Sequence, residues 1–597
     1  MSEIRTRLGR LLDELFRLDP VRATDAGDHR FDDRWPDRSP AGREAVLAAV
    51  DRWLAELGPI DSDRLDPEDA LDIAVARGEL EAIRFAEAEL RPGAWNALEW
   101  VELAGAGLFL LLARDFAPLA DRLASLAGRL EKLPALFAAA RDELEGTPER
   151  PPSRLHLEAA IDQLPGVAAL VEEALAAAES AARAGDGGAA ALLPRLRAAA
   201  DVGRRAIDGF GEHLERVVRP ASEGEGRLGP EAYRALFRHT IRDPALDPEA
   251  MVARAEREAA AIRAEMVRLA RALWPRSCPD RPLPTPGTDG IATEAAAEAA
   301  TVRGVLDAVS AEHPSADGLL EACRAALARV EAFVAERRIL DLPDEPLAIE
   351  WTPPFLRAFG GASLWSPGPL DRGQRSLFLV TPVPDDWSAE ERESWLRELN
   401  DRQITLLVVH EGVPGHYLQG VWANRCPSLV RSVLASGVYA EGWAVYVTQL
   451  MIDEGLAAAD PALELVHWKF YLRSVLNALL DVGVHTRGLD EARALALLVE
   501  GGFQEPAEAR NKYRRARLTA GQLSTYFVGS LACWELEARA REAAARGLGL
   551  AGPVARDLPG GLVGPDGFDR RAFLERVLSV GAPPPALLRD RWPAGVG

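Results

Sequence analysis

The sequence predicts a mainly α-helical protein with one small β-sheet, and three observations carry that expectation. Alanine, leucine, glutamate and arginine dominate the composition, and these residues lose little on entering a helix. Apolar residues recur at spacings of three and four through most of the chain, as in 116–144, 155–182 and 231–273. Only between 347 and 381 does the pattern change to short strand-like runs.

In chain order, residues 1–275 read as a helical half. Gly-Asp-Gly-Gly at 185–188 and Gly-Glu-Gly around 224 read as loops between helices. Residues 276–290, RSCPDRPLPTPGTDG, hold four prolines and two glycines and form a linker or long loop. Residues 291–597 make the second half, with helix from 293 to 338. LAIEW at 347–351 and RSLFLVT at 375–381 read as strands, and FGGASLWSPGPLDRG between them as a loop. The second strand offers an edge to which an extended peptide could add. A helix over about 388–399 leads into the motif below, and the chain is helical again over 430–550.

With 48% hydrophobic and 27% charged residues, the 597-residue chain has an ordinary globular composition. A formal net charge of −22 excludes a general binder of nucleic acid or of an anionic membrane, which needs clustered cations. The longest apolar run, 103–113, is too short to span a bilayer. The start, MSEIRTRLGRLLDELF, lacks a signal-peptide core. Cys278, Cys323, Cys426 and Cys533 lie far apart and form no C-x-x-C pair. A cytoplasmic, reducing location is expected, without nucleic-acid or membrane partners.

The chemistry concentrates in HEGVPGHYLQG at 410–420. In a zinc-hydrolase helix, His-Glu-x-x-His sets two imidazoles one turn apart. Here Pro414 replaces the second histidine, and the next is His416. On a straight helix, six residues separate the pair by about 9 Å and turn them to different faces. Pro414 and Gly415 are the two helix breakers, however, so a bend after Val413 is expected to bring His416 back beside His410. The bland alternative is two ordinary histidines near a helix end. A third ligand is expected from YAEGWAVY at 439–446, where Glu441 sits among aromatic and small residues that would make an unpaired carboxylate costly. The alternative there is a capping glutamate or one paired with arginine.

HExxPGHxLQ followed by EGWAxY resembles a large bacterial family, the domain of unknown function 885, grouped with gluzincin-type metallopeptidases. DPVRATDAGDHRFDDRWPD near the start, DVGVHTRG at 481–488 and GQLSTYFVG at 521–529 agree, so the likeness covers about residues 10–580. One departure stands out: where many relatives carry a second histidine after Pro-Gly-His, this chain has Tyr417, which favours His416 as the ligand.

The resemblance implies a large helical zincin-like fold and a zinc-dependent hydrolase. His410, His416 and Glu441 match the ligands of one Zn²⁺ ion, and Glu411 matches the general base. His485, with Asp481 one turn earlier, and Tyr526 are candidates to stabilise an oxyanion; for both the alternative is a structural role. A substrate carboxylate would need a cation. Arg487 and the basic run 510–517, with Lys512, Arg515 and Arg517, are the candidates, against a plain solvated helix face. Cys426 reads as buried packing before a fourth ligand.

The expected activity is therefore hydrolysis of an amide bond in a short peptide or small amide, in a cleft between the two halves, with the sheet beside the metal helix. A non-peptide amidohydrolase and a catalytically inactive helical binding protein are the rival readings. Glu411 weighs against the last, since a purely structural metal needs no base beside it. Oligomeric state stays open.

Overall fold

Helices form largely where the periodicity places them. In the computed structural model, which describes residues 2–147, 149–287, 290–359, 361–547 and 568–591, the 116–144 pattern becomes the Leu119–Glu143 helix. Its Leu123, Leu126, Leu130, Leu133 and Phe137 fall on one buried stripe. The 155–182 pattern becomes Arg154–Arg183, started by Ser153, whose side chain accepts from the His156 N–H.

Two expected helices are divided. The 231–273 run becomes Pro230–Ile241 and Pro248–Ser277. Arg242 ends the first in the left-handed region at φ 54°, and Pro244 and Pro248 follow at once. The 293–338 run becomes Glu294–Ser310 and Leu319–Arg337, with Pro314 in the gap. The helix expected over 388–399 forms, and a separate helix carries the first motif residues. Ala389–Glu398 closes, and Asn400 caps a new helix, Asp401–Glu411, by accepting from the Arg402 and Gln403 N–H groups.

The structure is mainly helical with one three-stranded sheet. β1 is Leu347–Trp351, β2 is Ala362–Trp365 and β3 is Ser376–Val380. The order is β1-β3-β2, with β1 parallel to β3 (Leu347 opposite Ser376) and β2 antiparallel to it (Trp365 opposite Leu377). β2 lies in what the sequence reads as loop. It is four residues long and half-buried throughout, so it shows no alternation. β3 is buried at all five positions and paired on both sides. RSLFLVT therefore offers no free edge; the edges are β1 and β2, and β2 packs against the Asp401–Glu411 helix.

Three apolar cores form, and each draws side chains from both sides of residues 276–290. One joins Leu11, Trp53 and Ile73 to Val409, Tyr417 and Trp443. A second joins Tyr233 and Ile262 to Tyr471 and Phe527. The third packs Leu98–Phe210 residues against Phe355 and Leu518. Among the described residues, no single helix is long and apolar enough to cross a membrane.

Candidate metal centre

The expected bend is a complete break. The Asp401–Glu411 helix ends at Gly412 (φ −98°, ψ −108°), and His416–Arg425 starts a new helix after Gly415. The Val413–Pro414 peptide is cis. Gly415 is needed for space and not for an unusual φ, which is −76°. A Cβ there would lie 1.9 Å from the His410 carbonyl oxygen and 2.3 Å from that of Val409. The second helix thus begins directly against the carbonyl end of the first. Trp443, fully buried, locks the junction by donating its indole N–H to the Pro414 carbonyl at 2.9 Å.

Because the helix restarts, His410 and His416 meet. Their rings are 4.8 Å apart between centroids and nearly perpendicular, at 81°. Glu441 comes from the Gly437–Asp453 helix. Its Oε2 is 3.3 Å from His416 Nε2 and 3.7 Å from His410 Nε2. The three ligand atoms lie within 4.8 Å of one another. Burial alone would raise the Glu441 carboxyl, but the two imidazoles win and hold it well below the usual carboxylate range.

The donor set fits a divalent cation. Two imidazoles and one carboxylate are a usual catalytic zinc set. Glu441 Oε2 and Glu411 Oε2 are both buried without a hydrogen-bond partner. An unmet buried polar atom costs about 1–3 kcal/mol, more when charged, and a cation among the three ligand atoms removes that cost for Glu441. His410 Nδ1 is unpartnered too, and nothing in the structure explains it. Among the described residues, the cluster able to hold a cation does not include Cys426. The Tyr417 hydroxyl is tied to the Glu345 carbonyl.

Sequence reasoning missed Gln522. It begins the Gln522–Gly547 helix and donates from Nε2 to Glu441 Oε1 at 3.1 Å and to the Tyr526 hydroxyl at 3.3 Å. It thereby turns Glu441 so that Oε2 faces the imidazoles. Arg515 donates to Gln522 Oε1 at 3.0 Å and to the Tyr526 hydroxyl at 3.1 Å. Two N–H donors occupy the tyrosine's lone pairs, so its own hydrogen is left to donate outward. The Tyr526 ring lies 6.2 Å from that of His410. The signal for Gln522 was its place four residues before Tyr526, one turn away on the same helix face.

Two glycines bring this helix to Glu441. A Cβ on Gly442 would be 2.2 Å from the Gly529 carbonyl carbon, and one on Gly529 would be 2.0 Å from the Val438 oxygen. The glycines of EGW and YFVG are therefore helix-contact residues.

The structure does not bring His485 to the site. It is buried, stacked on Tyr233 at 5.4 Å, and both ring nitrogens are engaged by backbone: Nε2 with the Ala516 carbonyl at 2.8 Å, and Nδ1 with the Leu228 N–H at 3.2 Å. It has no hydrogen to give a substrate oxyanion, and its expected role is corrected to scaffold. Asp481 lies 3.8 Å from His485. Its carboxylate accepts from the Gly521 and Ser524 N–H groups and the Ser524 hydroxyl. The Asp481–His485 pair pins the turn that presents Gln522 and Tyr526.

A cavity adjoins the triad. Glu411, His410, Tyr526, Arg515, Lys512 and the β2 end at Ala362 line it. Of the basic run, Lys512 and Arg515 face this cavity, whereas Arg517 stacks on Tyr513 at 4.3 Å and Arg514 pairs with Asp162 at 3.5 Å. Arg487 is not among the cavity residues.

A family model described as bacterial protein of unknown function, DUF885, matches residues 20–591. No curated protein matches the chain. A solved structure from Shewanella oneidensis, provisionally described as a lipoprotein of unknown function, superposes with a TM-score of 0.76 at 28% identity, covering 99% of this chain and 100% of that one. A second, from Colwellia psychrerythraea and also provisionally described as a lipoprotein, gives 0.72 at 16% identity with 97% and 96% covered, a likeness of fold alone. Matched over all but its extreme ends, the chain belongs to the DUF885 family of bacterial proteins of unknown function.

Proposed function

We propose that this protein is a zinc-dependent amide hydrolase, most simply a gluzincin-like metallopeptidase of short peptides, with a zincin-like fold whose cleft is the cavity beside the triad. One observation carries the proposal: His410, His416 and Glu441 converge from three helices to within 4.8 Å, and Glu411 lines the adjoining cavity. A divalent ion held there supplies Lewis-acid chemistry, lowering the pKa of water toward about 7 and polarising a carbonyl.

The chain's own residues do the rest. Glu411 follows a ligand on the same helix, carries a buried, uncommitted oxygen, and accepts the proton of the attacking water. It returns that proton to the leaving nitrogen. Tyr526 directs its hydroxyl hydrogen at the developing oxyanion. Gln522 and Arg515 hold Tyr526 and Glu441 in place. β2 is an edge strand whose first residue reaches the cavity, and its unpaired side suits an extended backbone. All four cysteines are unpaired, which suits the reducing cytoplasmic setting proposed here.

Metal analysis of purified protein, beside a screen of short peptides with free and blocked ends, tests this proposal. A single zinc per chain and cleavage abolished by chelation are expected. Protein that takes up no divalent ion sinks it. Zinc-loaded protein that cuts simple amides but no peptide favours the amidohydrolase instead, and zinc without hydrolysis of either favours the binding protein.

Tyr526→Phe is expected to lower kcat about 10²-fold, the usual cost of one oxyanion donor, with KM little changed. An unaltered kcat confines Tyr526 to supporting Gln522.

A further inference from the structure

We propose that the cavity contains a carboxylate-binding subsite made by Lys512 and Arg515 with Arg473 behind them, so that the hydrolase proposed above acts on amides whose substrate carries a carboxylate close to the scissile bond. This rests on the catalytic reading of the triad; its own support is the charge arrangement on one wall.

Lys512 is 3% exposed, and its carboxylate partner is Glu508, at 3.0 Å. The same Glu508 lies 3.7 Å from Arg473. Arg515 spends its hydrogen bonds on neutral groups, Gln522 and Tyr526. Of the other carboxylates lining the cavity, Glu398 is held by Lys469 at 2.8 Å, and Glu411 is the base proposed above. Lys512 and Arg473 therefore share Glu508, and Arg515 beside them makes no ion pair among the described residues. Burial, with Arg473 and then Arg515 repelling, pushes Lys512 down to about 7. A substrate carboxylate would give Arg515 the charged partner it lacks and Lys512 a second one.

The subsite adjoins the triad. Phe470 packs edge-on to His410 at 5.7 Å between centroids and lies 5.7 Å beneath the Arg473 guanidinium. Tyr526 links Arg515 to the His410 side. An α-carboxylate at a peptide's C-terminus and an Asp or Glu side chain offer the same chemistry, and the experiment separates them.

The probes are three acetylated peptides: a free acid, its C-terminal amide, and that amide with its last residue replaced by glutamate. Binding to zinc-loaded Glu411→Gln protein is read by calorimetry. The free acid is expected to bind at least about tenfold tighter than the plain amide, the scale of a charge-assisted hydrogen bond. Lys512→Met should abolish that preference by weakening the acid alone, and Lys512→Arg should retain it. Glu508→Gln with Lys512→Met removes the pair together, avoiding a stranded buried carboxylate if the single variant folds poorly. Tight binding of the glutamate amide instead assigns the subsite to an acidic side chain. Equal binding of all three, no binding of any, or equal weakening of acid and amide by Lys512→Met overturns the subsite. If acids are preferred but wild-type zinc protein turns over none of the peptides, the subsite stands and the hydrolase falls.

Discussion

Glu411→Gln is expected to cut hydrolysis about 10²–10⁴-fold while leaving fold and zinc content unchanged. The amide fills the same volume and still hydrogen-bonds water, but it cannot take a proton. Glu411 sits outside the triad, so the ion loses no ligand. Glu441→Gln should behave differently. A neutral amide is a poor zinc ligand, and Glu441 Oε2 faces both imidazoles. Zinc occupancy should fall there, and activity with it. Metal content and rate measured on both variants separate base from ligand. Should Glu411→Gln hydrolyse substrate at the wild-type rate with full zinc, Glu411 is not the base and the mechanism proposed here is wrong.

Gly415→Ala should lower stability and zinc content together. The added methyl meets backbone oxygens at 1.9 and 2.3 Å, and these cannot swing aside as a flexible side chain could. Relief requires moving one motif helix off the other. That opens the His410–His416 approach and strains the Trp443 bond to the Pro414 carbonyl. Overpacking of this kind costs about 3 kcal/mol at the upper end of the usual range. A denaturant melt and zinc per chain check the expectation together. Wild-type values for both mean that the abutting helix ends do not hold the ligands.

The site was legible where chemistry is local. His410, Glu411, His416 and Glu441 declared themselves as candidates by residue type and spacing, since few side chain types can hold a metal and helix breakers mark themselves. Tyr526 was expected as an oxyanion donor, whereas the glycines of EGW and YFVG were visible as motifs without a stated purpose. His485 misled because a histidine with an aspartate one turn away looks the same whether it serves a substrate or a turn. The form of the break at 412–415 was hidden as well: proline and glycine announce a departure from the helix but not its geometry.

By itself, then, the sequence determined the helical periodicity, two of the three strands and the candidate residues His410, His416 and Glu441, because these depend on neighbours within a turn or two of chain. Tertiary structure decided the rest. Gln522 becomes the support of Glu441 only because Gly442 and Gly529 let two helices nearly touch. Lys512 becomes a buried cation facing a cavity, while Arg514, two residues on, pairs with Asp162. β2 gains strand character only by pairing with β3 across more than ten residues of chain. Burial and the charges across a cavity are set by which helices pack together, and side-chain spacing along one helix carries no record of its neighbour.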